Sequence, residues 1–269
     1  MSEEEAELLE GEAEDSWGEE LFLETSNLTV RVVLVEPAFE GNVGSVCRAM
    51  KNFGFSDLWL VRPCPLGGAA RAMASHATEV LEEVITVSTL EEALQNVDVV
   101  VGTTGKPGDT LKEHRRLPYF TPAELRTLLE DKSGRVAILF GREDCGLANE
   151  ELERCDVVVT IPTSEDYPIL NLSHAAAIVL YELCGLEGGD FPLASGDLME
   201  LLYSHFDSLL SEVNHPDHKR DKTLLMIRRI LGRAMLNRRE YFTLMGVLRD
   251  IELALARADE ADASWVENN

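Results

Sequence analysis

The sequence predicts an α/β fold built on a mainly parallel sheet and followed by a small helical extension. Three observations carry that expectation. From about Leu28, short apolar runs alternate with amphipathic segments. The runs are continuous in Val, Ile and Leu, the pattern of strands covered on both faces rather than one. After the glycine- and proline-bearing stretch GLEGGDFPLASG, Gly185–Gly196, nothing further reads as a strand.

In chain order, the expected elements begin with a strand at Val30–Glu36, a helix at Asn42–Phe53 and a strand at Leu58–Val61. Short helices at Ala69–Ser75 and Thr78–Glu83 precede a short strand at Ile85–Val87. A helix at Leu90–Val97 leads to the apolar run Val99–Val101. A helix at Pro122–Glu130 then feeds the strand Val136–Phe140. The last pair of units is helix Glu150–Cys155 with strand Val157–Ile161, and helix Leu172–Leu183 closes the α/β part. Beyond the linker, Asp197–Val213, Lys222–Leu236 and Glu240–Arg257 read as helices, the third with apolar residues three or four apart. The resulting division is an acidic disordered tail over residues 1–26, an α/β domain over 27–187, a linker over 188–196 and a helical domain over 197–269.

Composition narrows the class. A chain of 269 residues can bury a full core, and no apolar run approaches the length that spans a bilayer, so a soluble protein without membrane association is expected. The N-terminus is acidic, unlike a secretory signal. Cys47, Cys64, Cys145, Cys155 and Cys184 are scattered without a C-x-x-C pair, which fits reduced thiols in the cytoplasm better than disulfides or zinc. The net charge of −25 opposes binding to phosphates on average. The opposition is uneven: Ser2–Glu24 carries only acidic charges, whereas Lys219–Arg239 holds eight basic residues against Asp221. The remaining acidity would suit a salt-rich cell interior, although Glu outnumbers Asp.

Chemistry concentrates where apolar runs stop. Val136–Phe140 ends at Gly141, Val157–Ile161 ends at Pro162, and Val99–Val101 ends at Gly102-Thr103-Thr104-Gly105. Strand ends of an open α/β sheet are where ligands bind. The loop at Gly105 is not a Walker loop, because Val100 stands where its first glycine belongs and Pro107 where Ser or Thr is required. No strand is followed by G-x-G-x-x-G, which weighs against a dinucleotide site. His215-x-x-His218 lacks further ligands and contains Pro216, so no metal is expected. Cys145 has no partner base nearby and reads as an inert thiol. Gly44 is expected to let the chain turn tightly toward a ligand.

FGREDCGL (Phe140–Leu147), followed by IP-x(7)-LNLSHA from Ile161, resembles the second and third motifs of the SPOUT methyltransferases. The stretch starting at Val33, VLVEPAFEGNVGSVCRAMKNFGF, places Asn42, Gly44 and Arg48 at the spacing of the first motif of their SpoU branch. The basic segment RRILGRAMLNRREYFTLMGVLRDIE is similar to the C-terminal extension of TrmJ-like tRNA methyltransferases. The resemblance implies a C-terminal trefoil knot, a homodimer and S-adenosylmethionine as methyl donor. It assigns donor binding to Thr103, Thr104, Gly105, Gly141, Ile161, Ile169 and Leu170. It makes Arg48 the catalytic arginine, with Asn42, Glu143, Asn171 and Ser173 beside it.

Each assignment has a structural alternative. Arg48 could be a solvated helix residue, Asn171 a helix cap, and the Gly102–Gly105 loop a plain turn. As arginine is a poor base, Arg48 is expected to clamp phosphate and stabilise an alkoxide, leaving Glu143 or a phosphate oxygen to accept the proton. Lys219, Arg220, Lys222, Arg228, Arg229, Arg233, Arg238 and Arg239 are the expected RNA contacts, unless they form a solvated face. The small side chains of Ala175–Ala177 are expected to admit a partner subunit. The implied reaction is 2'-O-methylation of a ribose in the tRNA anticodon loop, at position 32, on cytidine and also uridine. Ribosomal RNA as substrate, or an RNA-binding protein without chemistry, are the alternatives.

Overall fold

The computed structural model of the chain describes residues 28–106, 108 and 115–267, with side-chain surroundings through residue 258. The expected acidic tail at 1–26 lies outside the described residues. Among the described residues, eight strands form one sheet: β1 (Leu28–Val35), β2 (Leu58–Val61), β3 (Ile85–Val87), β4 (Val99–Thr103), β5 (Tyr119–Phe120), β6 (Lys132–Phe140), β7 (Val157–Val159) and β8 (Phe191–Pro192). Their spatial order is β3-β2-β1-β6-β4-β7-β5, with β8 beside the start of β6, and every pairing is parallel. Val33 registers with Trp59 on one side and Leu139 on the other.

The side-chain period of two sends β1 into both cores. Val32 and Leu34 face a cluster with Ile138, Phe140, Val43, Cys47 and Met50, whereas Val33 and Val35 face Leu139, Leu147 and Leu152. Burial of each such side chain is worth about 1.5–3 kcal/mol. The first face carries α1 (Glu40–Phe53), α2 (Gly68–Ala74), α3 (Thr78–Glu82), α5 (Pro122–Leu129) and α7 (Leu172–Leu183). The second carries α4 (Leu90–Ala93) and α6 (Asn149–Glu153).

Local sequence explains the two helices nearest the site. In α1, Val43, Val46, Cys47 and Met50 recur at helical spacing on the buried face, and Gly54 ends the helix at φ +83°. Gly44 does not form a turn toward a ligand. It lies within α1, where a Cβ would stand 2.1 Å from the Ala70 carbonyl oxygen, so glycine permits α1 and α2 to touch. In α7, Leu172, Ala176, Val179, Leu180 and Leu183 are buried, and the Asn171 side chain accepts from the Ser173 N–H at 2.8 Å.

The C-terminal unit comprises α8 (Gly196–Glu212), α9 (Asp217–Ala234) and α10 (Arg238–Glu267), packed around Leu202, Tyr203, Tyr241, Met245 and Leu248. It abuts the sheet closely: a Cβ on Gly232 would meet the Asp156 carbonyl oxygen at 2.6 Å.

Five expectations need correction. The stretch assigned wholly to linker contains β8, held beside the start of β6 by Phe191 N–H to Asp131 O at 3.0 Å and Leu193 N–H to Ser133 O at 3.0 Å. Strand β6 starts at Lys132 rather than Val136, since β1 pairs with it from Leu28↔Gly134 onward. Helix α9 starts after Pro216, well before Lys222, and α4 ends at Ala93, before Asn96 at φ +57°. Strand β7 stops at Val159, short of Ile161.

Candidate active site

The strand-end loops after β4, β6 and β7 converge on one cleft. Thr103, Thr104, Gly105, Gly141, Ile161, Ile169 and Leu170 all line it, with Glu143 at its rim. The centre of a water-sized sphere has about 170 Å3 in which to move there. Apolar walls come from Phe140, Leu147, Val159 and Leu172. Lys106, Arg116 and Arg142 also line the cleft, and the Arg116 Nε is buried without a hydrogen-bond partner among the described residues.

The loop between β6 and α6 is shaped by close backbone approach. Arg142 and Gly146 exchange hydrogen bonds of 3.2 and 2.9 Å, closing a tight turn, and Gly146 takes φ +72°. A Cβ on Gly141 would lie 2.1 Å from the Leu147 nitrogen. Glycine at 141 is therefore required first by the loop's own backbone, which returns through the space a side chain would fill.

A charge network missed by the sequence reading braces this turn. Arg142 reaches Glu36 at 2.6 Å and Glu151 at 3.0 Å, and Arg62 reaches Glu36 at 2.7 Å. The hydrogen bonds from Arg142, then Arg62, hold the Glu36 carboxyl at about 2. Glu36 itself sits at φ +47°, an uncommon region for a non-glycine residue. The arginine of the FGRE segment was a visible signal; its two acidic partners were not.

At the mouth, four of the five expected catalytic residues form one hydrogen-bonded chain. Glu143 accepts from Asn42 Nδ2 at 2.9 Å, and Asn42 Oδ1 accepts from Asn171 Nδ2 at 3.1 Å. Asn171 Oδ1 in turn accepts from Ser173 Oγ at 2.7 Å. Glu143 also accepts the Ala38 and Phe39 N–H groups at 2.9 and 3.2 Å, fixing the approach to α1. The fifth residue is not brought here. Arg48 is exposed on α1 and makes no hydrogen bond or ion pair among the described residues.

The expected RNA contacts divide in the same way. Lys219, Lys222, Arg233, Arg238 and Arg239 are exposed. Arg229 is not: it is 1% exposed, and its guanidinium donates to backbone carbonyls of the α/β unit. Arg228 is also withdrawn from RNA, bound to Asp156 at 3.3 Å and Glu200 at 2.8 Å over the Tyr203 ring. Arg220 pairs with Asp207 at 2.5 Å. Helical spacing displays all of these as basic, yet it does not say which side of the helix meets the sheet.

Burial raises the Cys155 thiol to about 12, and the hydrogen bond with Asp144 raises that of Cys145. His215 Nε2 meets Thr223 Oγ1 at 3.1 Å, and no group of three or more His, Cys, Asp or Glu able to hold a metal occurs among the described residues. Nor is any helix among them long and apolar enough to cross a membrane.

Three comparisons with known proteins bear on this cleft. Residues 29–181 match the SpoU rRNA Methylase family. Over 230 residues the chain is 38% identical to the tRNA (cytidine-2'-O-)-methyltransferase TrmJ of Methanocaldococcus jannaschii, covering 82% of this chain and 99% of that one. The tRNA (cytidine/uridine/adenosine-2'-O-)-methyltransferase TrmJ of Pseudomonas aeruginosa is 36% identical, with 86% and 98% of the two chains covered. Among solved structures, that of TrmJ from Z. mobilis ZM4 superposes with a TM-score of 0.67 at 29% identity, covering 83% of this chain and 99% of that one.

Proposed function

The chain belongs to the SpoU methylase family, and from that premise we propose that it methylates a ribose 2'-oxygen of tRNA with S-adenosylmethionine. The carrying observation is the convergence of three strand-end loops on one cleft with a polar chain at its mouth. Transfer RNA is favoured over ribosomal RNA because the tRNA-methylating relatives match well past residue 181, into the C-terminal helices.

The cleft fits the donor. Ile161, Ile169 and Leu170 offer apolar surface to a flat base, and the backbone of Thr103–Gly105 and Gly141 offers hydrogen bonds. Gly105 leaves room there that a Cβ would fill, 3.0 Å from Ile169 Cδ1. When bound, S-adenosylmethionine supplies an electrophilic sulfonium methyl. The chain's own task is then positioning and charge stabilisation. Arg48 clamps the target phosphate and steadies the forming alkoxide. Asn42, Asn171 and Ser173 orient the ribose. Glu143, whose oxygens already accept N–H groups, holds the entry to α1 and does not take the proton, which leaves to a phosphate oxygen of the RNA or to water.

Because Arg48 lies apart from the cleft in its own chain, the reading includes a homodimer in which it serves the partner's site. Ala176 is buried inside the subunit and Ala175 lines the cleft, which leaves Ala177 as the partly exposed member of the alanine run. The exposed Ile178 and Tyr181 of α7 are better suited to a dimer face. The reading further includes a trefoil knot in the C-terminal part of the α/β unit, separate domains at 27–187 and 197–269 joined through 188–196, the anticodon-loop target at position 32, and a cytoplasmic location with the tRNA. Methyl transfer from labelled donor to purified tRNA and, separately, to rRNA tests the function. Incorporation into tRNA is expected. Incorporation into rRNA alone would move the substrate, and donor binding without any transfer would leave an RNA-binding protein.

A further inference from the structure

We propose that Arg229, on α9 of the C-terminal unit, is a positioning residue for the donor cleft that fixes one cleft edge from outside. This rests on the reading of the cleft as the donor site. An arginine is costly to bury unless its donors are used. Here Nη1 and Nη2 are directed out of α9 into the α/β unit, while Nε is buried without a hydrogen-bond partner among the described residues. Nη1 donates to the Cys155 carbonyl, and Nη2 donates to Leu152 O at 2.7 Å and Arg115 O at 3.0 Å.

Those carbonyls adjoin two different segments of the cleft lining without lining it themselves. Arg115 immediately precedes Arg116, which lines the cleft and has its Nε buried and unpartnered among the described residues. Leu152 and Cys155 end the turn of α6, which begins just after the cleft loop Gly141–Leu147. The Arg115 side chain also binds Glu153 of α6. A single guanidinium and one ion pair therefore tie the Arg115–Arg116 segment to the helix that follows the cleft loop Gly141–Leu147.

The anchor is itself rigid. Gly232, three residues on, permits α9 to approach Asp156 so closely that a Cβ would stand 2.6 Å from its carbonyl oxygen. Asp156 Oδ2 accepts the Val100 N–H of β4 at 2.9 Å, and Oδ1 accepts from Tyr203 and Arg228, each at 3.3 Å. The helices that supply basic groups for RNA thus also hold the segments that flank the donor site, and the arginine read from sequence as a phosphate contact acts on the cleft instead.

The test uses the full chain with Arg229→Lys, Arg229→Met and Glu153→Gln. Lysine keeps the charge but lacks the fork that reaches both segments, methionine keeps only bulk, and Glu153→Gln loosens the other anchor of Arg115 without disturbing α9. Donor KM and donor Kd are expected to rise about tenfold or more in Arg229→Met, less in Arg229→Lys and least in Glu153→Gln. Rates at saturating donor should stay within about threefold, and donor-free tRNA affinity within about twofold, since the affected groups meet neither the ribose nor RNA phosphate. A fall in tRNA affinity with unchanged donor KM would make Arg229 an RNA contact and overturn the proposal. So would a lowered melting temperature with unchanged donor affinity. If both Arg229 variants fail to fold, Glu153→Gln decides: an unchanged donor KM refutes the edge's role. Wild-type calorimetry separates the two levels, because absent donor binding there sinks the donor-site reading itself.

Discussion

Arg48 is an exposed arginine with no hydrogen bond or ion pair among the described residues. Replacing it with alanine should leave melting and donor affinity near wild type. It should cut turnover by two to three decades, about 3–4 kcal/mol of transition-state stabilisation. Single-turnover assays check the loss, and turnover within a few-fold of wild type would remove the catalytic role. Mixing Arg48→Ala with Gly141→Val subunits after mild dissociation should restore activity if the site is shared between chains. Glu36 makes a pH prediction. Its carboxyl is lowered from an ordinary 4.5 to about 2, so its contribution to stability is present above about 4.5 and fades as pH falls toward 2. Because the side chain is 33% exposed, screening reduces that contribution to about 1–2 kcal/mol. Glu36→Gln should flatten the acid limb of the melting profile over that window, and an identical limb in the variant would show that the pairing with Arg142 contributes nothing. Residues of this kind separate what the sequence displayed from what it concealed. Asn42, Glu143, Asn171 and Ser173 were legible through motif spacing, although the bonded pair Asn42 and Asn171 lies 129 positions apart along the chain. Glu36 and Glu151 were two acids among 49, with no local mark of their partner.

Elements were legible in proportion to how much of their own burial they carry. Helix α7 and strand β2 were read with their observed limits because each is a dense apolar run bounded by polar residues or glycine. Strands β5 and β8 have two residues each and exist through neighbours: Tyr119 and Phe120 pair with β7, and β8 with the polar start of β6. No periodicity can develop over two residues. The same distinction governs the loop after β6, where glycine signalled a ligand site while its immediate cause was the chain's own return. Gly141→Val forces Gly146 and Leu147 to move, costing about 1–3 kcal/mol of stability, and carries Glu143 away from Ala38 and Asn42. Donor binding by calorimetry should disappear while the protein remains folded. Saturable binding of wild-type strength would mean that this turn is not part of the pocket.

For the whole molecule, the strongly negative charge and an RNA substrate are reconciled by where the free cations lie. Lys219, Lys222, Arg233, Arg238 and Arg239 remain open to solvent, whereas Arg220, Arg228 and Arg229 are engaged within the protein. Reversing Arg233, Arg238 and Arg239 to glutamate should weaken tRNA binding and lower the steepness of its salt dependence by about one for each phosphate no longer neutralised. Methylation of tRNA at saturating concentration should persist. An unchanged salt slope would mean that RNA approaches another face. The sheet order has a consequence for how such a chain emerges from the ribosome. β1 lies between β2 and β6, so its second edge waits until synthesis has passed from Val35 to Phe140. At about 5–20 residues per second, that valine-rich edge stands open for on the order of ten seconds. During this time it could pair with another nascent chain. Newly made protein is therefore most vulnerable to aggregation before β6 arrives, and a ribosome stalled short of that strand would leave a product that chaperones must shield.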